Sequence, residues 1–456
     1  MPADRPVFGN ERFVTPSDPA HPDAPLANPE SLADWLAYLE TLHPKAIAMG
    51  LDRVATVTAR MAIDVGCPVI TVGGTNGKGS TCAMLYAIYR HGGYRVGQYT
   101  SPHLLRFNER VRIDGEEASD GMLVAAFARV EQARTASDPA TPLTYFEFST
   151  LAALHVFAAA RLEVLVLEVG LGGRLDAVNA IDADVAVVTA IDIDHVDYLG
   201  STREDIGREK AGIFRAGRPA ICGDADPPRS LVAHAAAVGA PLWRIGHEFA
   251  YRVTGTQWAY RGPGGSRHGL PIPALRGAYQ LANAATALAA TDAMRERLPV
   301  SAGAVRDGLV RVELAGRFQV LPGRPTIVLD VAHNPQAARA FAATLGDMGF
   351  HPRTHAVFAM LADKDIDGVA EAVAPRVDTW FVAPLPGPRG ASAERIAQAL
   401  QDAGVSAQSI RAFGDVQQAF AAAREGADEA DRIAAFGSFL TVAAALAATR
   451  SQRSGS

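Results

Sequence analysis

Cysteine is scarce in this chain of 456 residues: Cys67, Cys82 and Cys222 are all it has. Three thiols cannot all pair, and their spacing fits no zinc pattern. A disulfide framework is excluded and a reducing compartment is expected. Long apolar runs are missing too. No stretch approaches the ~18–20 residues that a membrane span needs. The N-terminus carries Asp4, Arg5 and prolines up to Pro22, with no apolar signal core. Positive charge is not in excess either. With 43 Lys and Arg against 49 Asp and Glu, the net charge is −6, which argues against a nucleic-acid binder working through a broad basic face. The expectation is a cytoplasmic protein with no membrane and no nucleic-acid partner, acting as a monomer. Residues 1–29 are read as a mobile extension.

What is present is apolar matter: 48% hydrophobic against 20% charged, enough for sizeable cores. At roughly 150 residues per domain the length predicts two or three domains. Leu32, Trp35, Leu36 and Leu39 recur at helical spacing behind Ser31, a good N-cap. Pro68 to Val72 reads as a buried strand, followed by a glycine cluster and a helix from Ser80 to about His91, the first half of a βαβ unit. Val164–Leu167 and Asp184–Thr189 are further apolar strands, with a helix predicted at 148–162 between the first two units. Strands apolar on both faces belong to parallel sheets covered by helices. Residues 245–275, with Tyr251, Trp258 and Tyr260, read as an antiparallel appendage. Gly316, Pro322, Gly323 and Pro325 break the pattern before strand–helix alternation resumes. The predicted fold is α/β: a P-loop parallel-sheet domain over 30–312, a linker at 313–323, and a smaller Rossmann-like α/β domain over 324–450.

Gly73-Gly-Thr-Asn-Gly-Lys-Gly-Ser80 stands between strand and helix. Its glycines let the backbone wrap a phosphate, and the amides of Gly77, Lys78, Gly79 and Ser80 then point at it from the helix N-terminus. Lys78 adds positive charge, and Ser80 can reach a phosphate oxygen or a magnesium ion. The match is imperfect: Val72 stands where the usual first glycine would be, and Gly79 follows the lysine. Glu168 and His195 both follow apolar strands, at the sheet edge where ligands bind in such folds. A carboxylate at the end of so apolar a strand must find a partner. A hydrogen-bonded loop histidine is the bland reading of His195. Composition alone makes Lys210 a surface lysine. Asp330, His333 and Asn334 cluster at a strand end, either as a ligand contact or as a polar turn capping the next helix.

Eight segments stand in one order: Gly74-Thr-Asn-Gly-Lys-Gly-Ser80, Thr100-Ser-Pro-His-Leu104, Tyr145-Phe-Glu-Phe148, Leu167-Glu-Val-Gly-Leu-Gly-Gly-Arg-Leu-Asp-Ala177, Asp194-His195, Gly207-Arg-Glu-Lys-Ala-Gly-Ile-Phe214, Gly316-Arg-Phe318 and Leu329-Asp-Val-Ala-His-Asn-Pro335. That set resembles the folylpolyglutamate synthases and, more distantly, the Mur ligases, over about residues 31 to 445. The resemblance implies an ATP-dependent ligase that activates a carboxylate as an acyl phosphate and joins it to L-glutamate. It implies ATP contacts from Thr75, Asn76, Gly77, Lys78, Gly79, Ser80, Asn283, Arg317, Asp330 and His333. It implies two magnesium ions held by Ser101, Glu168, His195 and Lys210, the lysine as a carbamate, and so overturns the surface reading of Lys210. Lys78, His195 and Lys210 are then the catalytic set. Phe146, Asp176 and Ala177 resemble the pterin pocket of the bifunctional kind, which adds glutamate to 7,8-dihydropteroate as well as to reduced folates. Leu440 is one departure, where some relatives are polar.

Two rivals differ in class. A Mur-type amino-acid ligase would share the chemistry but would usually carry a further nucleotide-binding domain, for which 1–66 is short. A non-catalytic P-loop module would need the loop without Glu168, His195 and Lys210 together. A synthase that only extends folates is the alternative inside the family.

Overall fold

The computed structural model describes residues 29–43, 45 and 47–454. The extension expected over 1–29 falls outside them, apart from Pro29. The first sheet is built on Val69–Gly73 (β1), buried along its whole length. Around it stand Val96–Tyr99 (β2), Val111–Ile113 (β3), Glu116–Glu117 (β4), Val164–Glu168 (β5), Val185–Val188 (β6), Ala220–Cys222 (β7) and Leu242–Arg244 (β8). The order across the sheet is β4-β3-β2-β5-β1-β6-β7-β8. All pairings from β2 to β8 are parallel, and only β3 and β4 join antiparallel at one edge. Continuous apolar strands such as Val164-Leu-Val-Leu167 require cover on both faces. Helices Lys78–His91, Tyr279–Ala293 and Ala302–Arg311 pack on one face. Leu32–Thr41, Asp52–Met61, Asp120–Arg134 and Tyr145–Ala159 pack on the other.

Ala250–Thr254 (β9), Gln257–Gly262 (β10) and Gly265–Pro271 (β11) form the expected antiparallel appendage. It is fixed by its inner face: Trp258 and Tyr260 enter the first core, and the Tyr260 hydroxyl donates to Asp292 at 2.8 Å.

The second sheet consists of Gln319–Leu321 (β12), Thr326–Asp330 (β13), Thr354–Phe358 (β14), Thr379–Val382 (β15), Ile410–Ala412 (β16) and Arg432–Phe436 (β17), in the order β12-β13-β17-β14-β15-β16. Every pairing is parallel except β12 with β13. β12 lies inside the interval predicted as linker, because three residues beside Pro322 and Gly323 leave no periodicity to read. Helix Tyr145–Ala159 starts three residues before the predicted 148. Thr144 accepts from the Glu147 amide, and Glu147 returns to the Thr144 amide, a reciprocal cap that brings the aromatic pair 145–146 into the first turn.

The carboxyl-end edges of the two sheets face each other. Asn76, beyond β1, donates to Asn334 and Gln336, beyond β13, at 3.2 and 2.6 Å. Lys364, beyond β14, reaches Asp194, beyond β6, at 2.6 Å.

Candidate active site

β2, β5, β1 and β6 are neighbours and run the same way, so their ends supply one continuous rim. Ser101 follows β2, Glu168 ends β5, the phosphate-type loop follows β1, and the segment to His195 follows β6. The loop is shaped by two glycines that nothing else could replace. Gly74 has φ 139°, and a β-carbon there would collide with the Thr189 hydroxyl. Gly77 has φ 92°, and its β-carbon would sit 2.5 Å from Asn283 Oδ1. Both conformations favour glycine. Helix Lys78–His91 then begins without a side-chain cap, so its first amides are free for an anion.

Lys78 folds back onto the carbonyls of Gly74 and Thr75, at 3.1 Å each. Lys210 Nζ donates to the same Gly74 carbonyl at 2.9 Å. The sequence-only reading of Lys210 as exposed is therefore corrected: it is buried, and burial, aided by the Lys78 charge, lowers its pKa to about 7. Two amines sharing one carbonyl cannot both stay charged without cost.

Glu168 is buried, forms no ion pair among the described residues and takes one hydrogen bond, from the Ser101 amide at 3.2 Å. Burial raises its pKa against the opposing charges of Lys78 and Arg317. His195 adopts φ 54°, uncommon for a non-glycine residue and frequent at functional sites. Burial lowers its pKa to about 4, so the ring is neutral and keeps a lone pair. Its neighbour Asp194 receives Lys364 at 2.6 Å and stands 3.6 Å from His333. Burial works to raise the Asp194 pKa, but the His333 hydrogen bond and the charges of His195 and Lys364 hold it well below the usual carboxylate range. The four residues expected to hold magnesium thus fall into two groupings: Ser101 with Glu168, and His195 and Lys210 with Asp194. Lys78 reaches electrostatically into both. Among the described residues no three His, Cys, Asp or Glu side chains close into a metal cluster. A buried carboxylate without a cation, a hydroxyl and a neutral imidazole still fit a magnesium ion, which prefers oxygen and keeps its waters.

Beside the loop, Asn283 is buried against Gly77 and donates to Gln280, which donates to Ser80 at 3.2 Å. Thr75 exchanges hydrogen bonds with the backbone of Asp192. Arg317 lies over the Phe439 ring, and a β-carbon on Gly79 would meet its guanidinium at 3.7 Å. Asp330 gives both oxygens to backbone amides, of Phe318 and Ala332. It shapes the turn that presents Arg317, and Phe318 there has φ 43°. The imidazole of His333 is tied to the Val331 carbonyl.

Asp176 likewise serves the backbone, accepting from Leu171 at 2.8 Å and Val178 at 2.9 Å, beside buried Ala177. Burial raises its pKa to about 6. Phe146 packs against Gly170 and lies 6.2 Å from the Tyr99 ring. Glu147 anchors their helix through Arg53 at 2.7 Å.

Lys364 and Gln280 touch residues of this site though no sequence motif singles them out, and Asp194 gains its partners only here. Asp363-Lys-Asp365 is a charged trio just beyond an apolar strand, the same signal that exposed Glu168. Gln280 sits three residues before Asn283 on one helix face.

A P-loop between two facing α/β sheets, with a lysine, a carboxylate and an imidazole at the seam, defines an ATP-dependent ligase of the Mur type. Two family models match in the expected order: the Mur ligase middle domain over residues 72–291 and the Mur ligase glutamate ligase domain over 316–439. The chain belongs to the dihydrofolate synthase/folylpolyglutamate synthase family. It is 46% identical over 425 residues to the dihydrofolate synthase/folylpolyglutamate synthase of Escherichia coli K12, covering 93% of this chain and 97% of that one. The Mycobacterium tuberculosis relative of that name is 37% identical over 73% of each chain. Among solved structures, E. coli FolC in complex with DHPP and ADP superposes with a TM-score of 0.87, at 46% identity over 93% of this chain and 99% of that one. The Yersinia pestis bifunctional enzyme with AMPPNP and a manganese ion gives 0.83, at 46% identity over 92% and 98%.

Proposed function

We propose that this chain adds L-glutamate to 7,8-dihydropteroate and to reduced folates, one ATP per bond, through an acyl phosphate. The observation that carries this reading is the seam itself, where the P-loop, Glu168 and Lys210 of one sheet meet Arg317, His333 and Lys364 of the other. A carboxylate is a poor electrophile. Its oxygen attacks the γ-phosphorus of ATP, the bond to the β-bridging oxygen breaks, and ADP leaves. The amine of glutamate then attacks the acyl carbon, loses a proton, and the tetrahedral intermediate expels phosphate. One hard step becomes two easier ones.

The loop amides of Gly77 to Ser80 bind the phosphates, and Lys78 swings from the Gly74 carbonyl onto the oxygens where charge develops. Ser101, Glu168, His195 and Lys210 as a carbamate are the groups that would hold magnesium, which supplies charge neutralisation on the phosphates. Asn283 and Arg317 bracket the nucleotide, with Asp330 and His333 shaping the second-domain lip. Phe146 offers a ring face to the pterin, and Asp176, with Ala177, offers acceptor capacity to its N–H groups. Both lips come from one chain, which supports a monomer. No described helix is long and apolar enough to cross a membrane, and a cytoplasmic enzyme is the reading the three unpaired cysteines favour.

Purified protein with ATP, magnesium, L-glutamate and dihydropteroate should form dihydrofolate, with one ADP per product. With tetrahydrofolate it should form the diglutamate. Extension of tetrahydrofolate with no turnover of dihydropteroate would reduce the chain to a folylpolyglutamate synthase.

A further inference from the structure

The first domain buries two arginines, Arg110 and Arg134. Arg134 has an anionic partner, Glu131 at 2.6 Å. Arg110, 8% exposed, has none: no carboxylate among the described residues lies within ion-pair distance of it. Its neighbour Glu109 spends both oxygens on the amides of Leu104, Leu105 and Arg106. A desolvated guanidinium without a counter-charge is costly unless something bound at the site completes it.

The side chain is held in one plane. Its Nε donates to His103 Nδ1 at 2.8 Å, and its Cζ lies 5.3 Å from the Phe107 ring centre and 5.5 Å from that of Tyr145. Of its five N–H donors, one goes to His103 and another meets the Tyr99 hydroxyl, and no carboxylate among the described residues takes any of the rest. Backbone and ring contacts fix where it stands. The Arg110 carbonyl accepts from the Thr100 amide at 3.0 Å, one residue before Ser101, whose own amide donates to Glu168. The Tyr99 hydroxyl that Arg110 meets belongs to a ring 6.2 Å from that of Phe146. Arg110 therefore stands between the region read as the pterin pocket and the region where phosphate transfer takes place. A substrate lying across that interval puts its reactive carboxylate at Arg110.

We propose that Arg110 binds the carboxylate that becomes phosphorylated, as a specificity-determining contact shared by both acceptors: the aryl carboxylate of a pterin acid and the side-chain carboxylate of a folate's terminal glutamate. This rests on the ligase reading above. A planar guanidinium packed beside two rings presents parallel donors to two carboxylate oxygens, which a lysine point charge does not reproduce. Holding one oxygen pair fixes the attacking lone pair toward the γ-phosphorus.

The test compares dihydropteroate with its decarboxylated analogue, the same pterin-methylaniline without the acid, by equilibrium binding to the ADP-loaded enzyme. Wild type should prefer the acid by about tenfold or more, the gain expected of one charge-assisted pair. R110A should lose that preference, binding the acid as weakly as the analogue, while its affinity for the analogue and for ADP stays within about twofold of wild type. R110K should recover only part, and R110Q serves for the same comparison if R110A folds poorly. Undiminished preference for the acid in the variants overturns the proposal, and so does equal weakening of both ligands, which would make Arg110 a wall of the pocket. Wild type that binds both ligands without preferring the acid overturns the Arg110 assignment alone. Wild type that binds neither ligand overturns the folate reading and this assignment with it.

Discussion

Lys210 couples burial to chemistry. With its pKa lowered from 10.5 to about 7 by burial, the amine is largely neutral above pH 7 and free to attack carbon dioxide. Below that value the ammonium dominates and the carbamate cannot form. Enzyme stripped of carbon dioxide should therefore be nearly inactive, and added bicarbonate should restore turnover readily at about pH 8 and poorly at about pH 6. The ligand-free protein carries a second signature of the same shift. Between the folded value near 7 and the unfolded value near 10.5, the unfolded chain holds a proton that the folded one lacks. Stability from this group accordingly rises with pH across that window, and Lys210→Met should flatten the rise in a series of denaturant titrations. Bicarbonate-independent activity would remove the carbamate from the reaction.

The segment between β6 and helix Arg203–Ala211 is short of regular structure yet carries Asp192, Asp194 and His195. Its shape is set by an ion pair outside the cleft. Asp224 accepts from the Ile191 amide at 2.7 Å and from Arg203 at 3.1 Å, and Arg203 Nε donates to the Ile191 carbonyl at 3.1 Å. Both polar groups of one backbone residue are thus pinned, four residues before His195. Asp224→Ala leaves a buried amide without an acceptor, a loss of about 1–3 kcal/mol. The expected result is a lower melting temperature and a kcat reduced about tenfold or more, with ADP affinity less affected because the P-loop is also held by the Thr189 hydroxyl on the Gly73 and Asn76 carbonyls. Asp224→Asn, which still accepts the amide bond, should be milder in both measurements. Equal kcat in wild type and Asp224→Ala would show that the loop holds its shape without the pair.

At the scale of the whole molecule, the contacts between the two domains include a buried ion pair. Lys364 and Asp194 meet at 2.6 Å with side chains 7% and 11% exposed. Removing the ammonium leaves the Asp194 charge facing His333, His195 and the Asn334 amide, none of them a fixed cation. Breaking a buried pair from one side costs roughly 3–5 kcal/mol, more than the Asn76–Asn334 and Asn76–Gln336 amide bonds can replace. Lys364→Met should open the cleft, seen as a larger radius of gyration in X-ray scattering with an ATP analogue bound, and should raise KM for ATP. An unchanged radius would mean that closure is set elsewhere in the interface.

Local rules made much of this legible. The helix at 335–346 needs only Asn334, Pro335 and its apolar spacing, and it is found with those bounds. β1 and β5 were readable because a strand covered on both faces must be apolar throughout. The P-loop was readable because Gly74 and Gly77 take positive φ, a demand of the local backbone that favours glycine. Elements whose pattern depends on distant partners escaped. Arg432–Phe436 pairs with β13 and β14, strands that lie about a hundred and about eighty residues earlier in the chain, and nothing in its own five residues says so. Among site residues the division is the same. Glu168 announced itself as a charge ending an apolar strand, whereas Lys210 read as surface until packing buried it against Gly74. Asp330 stood out as a carboxylate at a strand end and Asp176 through the family resemblance, but that each spends its oxygens on backbone amides is decided by turns that only the assembled sheet edges create. Composition, periodicity and glycine placement act within a few residues of chain and so are written in the sequence. Burial, ion pairing and pKa depend on which segments meet across the cleft, and only the tertiary structure decides that.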